Sequence, residues 1–196
     1  MRKFLGLTLA VLAIGGAALA ADEFKIDPNH SSVNFAVAHM GVSTVVGRFN
    51  AFEGKIVYDD KDVTKSSVNV TIKTASINTD VANRDNDLKS ANYFDVEKFP
   101  EITFQSKSVE KAGNGLVAHG TLTIHGVAKD VDLPFDLKGP VDAGQNRGKV
   151  MGAHASLTVS RQDFGVGKPT PMIGNDVRIE LFVEARMAAP APAAGK

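Results

Sequence analysis

Apolar and polar side chains alternate along most of this chain. Val33, Phe35, Val37 and His39 interleave with Asn34, Ala36, Ala38 and Met40, and Val68, Val70 and Ile72 with Asn69, Thr71 and Lys73. Ile102 and Phe104 interleave with Thr103 and Gln105, and Val131, Leu133, Phe135 and Leu137 with Asp130, Asp132, Pro134 and Asp136. Val177, Ile179, Leu181 and Val183 do the same among Asp176, Arg178, Glu180, Phe182 and Glu184. A period of two predicts antiparallel strands with one dry face and one wet face. Stretches near 45–58, 115–125 and 147–161 bring the expectation to about eight strands. Turn signals separate them at Asp59-Asp60, Gly113-Asn114-Gly115, Gly126, Gly139-Pro140 and Gly144-Gln145-Asn146.

One segment departs from this pattern. Residues 80–95 are rich in Asp, Asn, Arg and Lys, with Leu88, Tyr93 and Phe94 as apolar points. A short helix is expected there, capped by Ser76, Thr79 or Asp80, and Phe99-Pro100 would stop whatever follows it. Eight strands with a helical insertion predict an all-β, closed antiparallel barrel, because closure removes exposed edges. Its interior is either filled by side chains or holds one small ligand. In the second strand the parity of Val45, Gly47, Phe49 and Ala51 differs from that of Phe52, Ile56 and Tyr58. A bulge at Asn50-Ala51 would put Phe49 and Phe52 on one inner wall and bend the strand.

Composition narrows the function classes. The 196 residues carry 22 basic and 22 acidic side chains, which argues against phosphate-backbone recognition and hence against a nucleic-acid partner. There is no cysteine, so disulfides, thiolate chemistry and Cys-ligated metals are excluded. Arg2 and Lys3, an uncharged run from Phe4 to Leu19, and Ala18-Leu19-Ala20 read as an export signal cleaved after Ala20. The run is short and Gly- and Ala-rich, unlike a membrane anchor, so no stable anchor is expected after cleavage. Export without disulfides puts the burden of stability on a single core across residues 21–187. Residues 188–196 are Ala, Pro, Gly and one Lys, and are expected to be a disordered tail.

Enzyme signatures are missing: no G-x-S-x-G, no G-x-x-x-x-G-K-[ST], no H-E-x-x-H and no strand–G-x-G-x-x-G–helix. His119 and His125 fall on one expected strand, about 20 Å apart at roughly 3.3 Å per residue, too far to share a metal. No metal site and no cofactor are expected. Asp27, His30 and Ser31 read as a turn capping the first strand. His39 shares the inner face with Phe35 and Val37, either as a hydrogen-bonded core group or as a polar contact inside a ligand channel. Arg84-Asp85 either closes an ion pair over the barrel mouth or meets a ligand head group. Arg161-Gln162-Asp163-Phe164-Gly165 reads as a turn, with Phe164 placed to plug or line one end and Arg161 paired to a rim acid.

Seven segments in register resemble the YceI-like family of exported polyisoprenoid-binding proteins. They are Ile26–Ser31 leading to Phe35 and His39; Gly47-Arg48-Phe49 with Phe52-Glu53-Gly54; and Ser76–Thr79 running into Arg84-Asp85 and Leu88. Phe94-Asp95, Phe99–Phe104, Gly120–Lys129 and Arg161–Gly165 follow. The resemblance covers about residues 24–186. It implies a lipocalin-like eight-stranded antiparallel barrel with an internal hydrophobic pore, binding of a long isoprenoid or similar lipid, residence in the periplasm, and commonly a homodimer. The chain departs from the family pattern at Phe24, where Tyr or Trp is frequent. It departs again at Asn86-Asp87, where another polar pair, often ending in His, is frequent.

Three functions compete on this reading. A carrier or store would hold a lipid against a wall of Phe35, Val37, His39, Phe49, Phe52, Leu88, Phe94, Phe104 and Phe164, with Arg84 and Asp85 at the head group. Burying the lipid would contribute about 0.8 kcal/mol per methylene. A partner-binding barrel would have the same residues as a filled core. An enzyme acting on a lipid held in the barrel would use His39 and a mouth carboxylate as acid and base.

Overall fold

The structure is a computed structural model that describes residues 21–144 and 147–187. The expected leader (1–20), the expected tail (188–196) and Gln145-Asn146 of the expected turn lie outside the described residues. Eleven strands form one sheet: β1 (Asp22–Ile26), β2 (Ser32–His39), β3 (Ser43–Phe49), β4 (Phe52–Tyr58), β5 (Ser67–Lys73), β6 (Ile77–Asn78), β7 (Glu101–Ala112), β8 (Gly115–Ile124), β9 (Val127–Asp142), β10 (Lys149–Ser160) and β11 (Ile173–Arg186). A single α-helix among the described residues, α1 (Ala82–Lys89), interrupts them.

All pairings are antiparallel, in the order β1-β4-β5-β7-β8-β9-β10-β11-β2-β3-β6, and β1 also pairs with β11. That extra pairing closes the ring. β11 presents one edge to two partners in turn: Ile173 to Phe182 lie along β2, and Ala185 and Arg186 along β1. β1 and β2 are therefore two arms of one barrel strand, broken at Asp27–Ser31, where Pro28 opens a 3₁₀ turn. β3 and β4 are likewise two arms, and β5 and β6 continue one another. Counted by arms, the barrel has eight antiparallel strands.

The interruption between β3 and β4 falls at Asn50-Ala51, where Asn50 N donates to Ser76 O and Ala51 O accepts from Lys73 N. Phe49 and Phe52 consequently both face inward. Three expectations are corrected. Gly139-Pro140 does not end a strand, because β9 runs through it to Asp142 with an irregularity opposite Val150 and Gly152. His125 is not on a strand with His119: it occupies the β8–β9 turn at φ +52° and packs on the Phe99 ring at 4.3 Å. The N-cap of α1 is Val81, without a side-chain cap; Thr79 is tied to α1 in another way, described below.

Alternation places the core. Inward residues of β7 and β8 such as Ile102, Phe104, Val109, Ala118, Leu122 and Ile124 are buried, while their neighbours face out. The hairpin β2–β3, the insertion at 74–100, the β8–β9 turn and the β10–β11 connection all gather at one end of the barrel.

Candidate functional site

The inner face does not close into a solid core. It lines a cavity of about 790 Å³ that runs most of the barrel's length, within the range of pockets that hold small organic ligands. Every strand except the two-residue β6 contributes to its wall. Phe35, Phe49 and Phe94 bring β2, β3 and the insertion together, with ring centroids 5.8 Å apart in both contacts.

Of the residues picked out from sequence, Phe35, Val37, His39, Phe49, Phe52, Leu88, Phe94, Phe104, Phe164 and Arg84 line this cavity. Asp85 does not. Its Oδ1 accepts from Thr79 N at 2.8 Å and from Thr79 Oγ1 at 2.6 Å, which ties it to the strand before the helix. Arg84 reaches the same residue, Nε to Thr79 Oγ1 and Nη2 to Thr79 O, both at 2.8 Å. The two side chains thus meet on a buried threonine, not in an ion pair over the mouth. Arg161 is buried, but no acid pairs with it. Its guanidinium donates to the carbonyls of Gly174 (2.9 Å), Val166 (2.9 Å), Lys168 (3.2 Å) and Ile173 (3.2 Å), which fixes the β10–β11 connection.

The cavity opens at the end where these connections gather. Its exposed lining residues, Ala38, Ser43, Asn83 and Asp87, all belong to the β2–β3 hairpin or to α1. His39 is half-buried beside them, and its imidazole makes no hydrogen bond to a described residue, which leaves both nitrogens free for a ligand. The mouth therefore offers imidazole, guanidinium, amide, hydroxyl and carboxylate groups around a bore that is otherwise mostly apolar, with Asn34, Tyr58, Ser66 and Ser67 as its further polar lining. Sequence reasoning missed Ser43 and Asn83 as mouth residues, whereas the family resemblance had put the Asn86-Asp87 pair near the mouth. For the helix pair a signal exists: Asn83/Asp87 and Arg84/Leu88 are spaced i, i+4 and so share one side of α1.

Clusters outside the cavity are surface features. Asp27, His30 and Glu184 bring three possible metal ligands within 4.8 Å, but Arg186 donates to both carboxylates and supplies the positive charge there. Asp27 also accepts from Asn29 N and His30 Nδ1, so the group caps the break between β1 and β2. The hydrogen bonds from His30, Asn29 and Arg186 hold the Asp27 carboxyl below its ordinary pKa. On the outer wall, His119 lies between Asp132 Oδ1 and Glu110 Oε1, each at 2.6 Å, and these carboxylates raise its pKa.

Residues 24–185 match the sequence profile of the YceI-like domain. The chain belongs to the YceI-like family. Protein YceI of Salmonella arizonae and that of Salmonella enteritidis are each 38% identical to it over 185 residues, covering 93% of this chain and 96% of the relative. Among solved structures, the Campylobacter jejuni YCEI protein is 27% identical, with a TM-score of 0.69 over 92% of this chain and 98% of its own. Burkholderia cenocepacia BcnA shares the fold at a TM-score of 0.74 and 22% identity, over 81% of this chain and 98% of its own. A polyisoprenoid binding domain from Saccharophagus degradans shares it at 0.66 and 15% identity, over 87% and 99%. The YceI-like barrel and the cavity inside it thus follow from one pattern of alternation.

Proposed function

We propose that this YceI-like protein is a binding protein that takes a polyisoprenoid or a similar long-chain lipid into the barrel, tail inward and polar end at the mouth. One observation carries the reading: a cavity of about 790 Å³, walled mainly by aliphatic and phenylalanine side chains, whose charged lining groups, Arg84, Asp87 and Arg161, all lie toward the open end. Such a bore rewards length and apolarity, because each buried methylene contributes about 0.8 kcal/mol before ordering costs. His39, Ser43, Asn83, Arg84 and Asp87 then set the orientation of the polar end. The polyisoprenoid-binding neighbour from Saccharophagus degradans supports this ligand class. Sequestration or carriage, not turnover, is the role proposed. Residues 1–20 support a periplasmic site of action after cleavage at Ala20.

Native mass spectrometry of the protein purified from an exporting bacterium, followed by solvent extraction, tests the reading. A stoichiometric adduct that proves to be an isoprenoid or long-chain lipid is expected, on a chain starting at Ala21. A chain that stays unloaded after incubation with prenyl alcohols would remove the lipid-binding role.

A further inference from the structure

We propose that the hairpin side of the barrel mouth docks on an anionic lipid bilayer, with Met40, Val42 and Met172 entering the interface. This rests on the lipid-binding reading above and adds the surface at which the ligand is exchanged.

Exposed apolar side chains are concentrated at this end. Of the eight large hydrophobic residues exposed among the described residues, Met40, Val42, Val81, Val127 and Met172 lie in or next to its connections. Val42 is 85% exposed and Met40 52%, at the tip of the β2–β3 hairpin. Met172 lies opposite, its carbonyl accepting from Met40 N at 2.7 Å. Directly below them in register, His39 pairs with Ser43 and with Ile173, and all three line the cavity. The apolar tip thus adjoins the bore directly, through Ile173 on one side and the polar rim of His39 and Ser43 on the other.

The backbone of the tip points the same way. Met40 is held at φ +53°, a region that favours glycine or asparagine and strains a bulky side chain. The side chain is nevertheless 52% exposed, so it is not there to fill the core. A methionine kept there suits an unbranched, adaptable group meant to meet another apolar phase.

Charge selects the occupant. Residues 31–47 contain no Asp, Glu, Lys or Arg, and residues 164–175 contain only Lys168. Lys168 is exposed and makes no ion pair with a described residue, while its carbonyl is anchored by Arg161. Between Asp163, which pairs with Lys129, and Asp176 at its two ends, this half of the mouth presents apolar groups and one free cation, the combination that suits an anionic interface. The α1 half is polar, with Asn83 and Asp87 exposed, so the barrel would tilt with its hairpin down and its acidic helix held away from the head groups, toward water. A lipid tail could then pass from bilayer to bore without crossing water.

The absence of native cysteine makes the test clean. A single environment-sensitive fluorophore is placed at Val42→Cys or, at the opposite end, at Asn114→Cys, and the full protein is mixed with phosphatidylcholine–phosphatidylglycerol vesicles. The Val42 probe should shift to the blue and be quenched by lipids spin-labelled in the acyl chain, while the Asn114 probe stays unchanged. Combining Met40→Ser, Val42→Asp and Met172→Ser should weaken vesicle binding on the order of ten-fold or more. Lys168→Glu should weaken it roughly five-fold. Binding of geranylgeraniol in vesicle-free buffer should be the same in the triple variant as in the parent. No response at Val42, equal responses at both positions, or a blue shift that grows with protein concentration in the absence of vesicles would overturn the proposal, the last by showing that a second copy covers the tip. Failure of the parent to bind geranylgeraniol would instead count against the lipid-binding reading, and it is read without vesicles.

Discussion

The wall of the barrel and its mouth are built by different means. Strands β7 to β11 are long and paired along both edges, and backbone ladders hold them together. Such a wall needs alternation more than it needs any particular side chain. At the mouth the chain leaves the sheet, and individual side chains replace the ladder. Arg161 gathers four carbonyls, Arg84 and Asp85 grip Thr79, and Thr74 Oγ1 donates to Phe99 O at 2.6 Å. Polar residues near a ligand opening can thus be clamps that hold the opening in shape. Here most of the fixed polar bonds do that, which leaves His39 and the exposed residues of α1 to meet a ligand.

The largest test of this contrast is Arg161→Leu. Four carbonyls would lose their donor at a site where the arginine is only 6% exposed. The expected cost is on the order of 3 kcal/mol or more in urea unfolding. A cost below about 1 kcal/mol would show the clamp to be dispensable.

A pair of glycines sharpens the comparison. A Cβ at Gly120 in β8 would stand 2.5 Å from Gln105 O in the neighbouring strand, and backbone in a ladder cannot give way. Gly120→Ala should cost about 2–3 kcal/mol. At Gly47 the conflict is with the Phe35 ring at 2.4 Å and a Thr79 methyl at 2.8 Å. Phe35 borders the cavity and can swing into it, so Gly47→Ala should cost about 1 kcal/mol or less and weaken lipid binding instead. Urea midpoints and a ligand titration of both variants separate the two outcomes.

Asp85→Ala should come next, at about 1–2 kcal/mol, because it frees Thr79 N and Oγ1 together. A ligand affinity that falls far more than stability would mean that Asp85 touches the ligand after all.

The smallest effect belongs to the outer wall. Asp132 first, then Glu110, raise the pKa of His119 in the folded state. Its contribution to stability is therefore complete below the unfolded value of about 6.5 and is lost as pH rises through the folded value. An NMR titration of the His119 ring should show a midpoint above about 6.5. His119→Gln should lower stability in acid and leave it unchanged at alkaline pH.

This division also decides what could be read in the sequence. The wall was legible because the period of two survives in β2, β5, β7, β9 and β11, and the parity change between Phe49 and Phe52 announced the break at Asn50-Ala51. β1 was missed because Phe24 and Ile26 alone are too short an alternation. The mouth was legible only in part. Arg84 and Leu88 fell on the cavity, but Asp85 and Arg161 took partners that no local pattern specifies: a threonine six residues back, and four carbonyls, two in the following loop and two at the start of β11. Clamps depend on tertiary distance, which alternation does not encode.

The split strand β1–β2 has a consequence in time. The ring is closed by Lys25 and Ile26 against Arg186 and Ala185, reinforced by a bond between Asp27 and Arg186 across 159 residues. The first strand of the barrel waits for the last. A chain made from its N-terminus cannot complete the cylinder until β11 is present, and until then β1 and β4 through β10 form an open sheet with a bare edge. The contact that turns a ribbon into a vessel is thus among the last that can form, and anything that holds back β11 keeps the whole molecule unsealed.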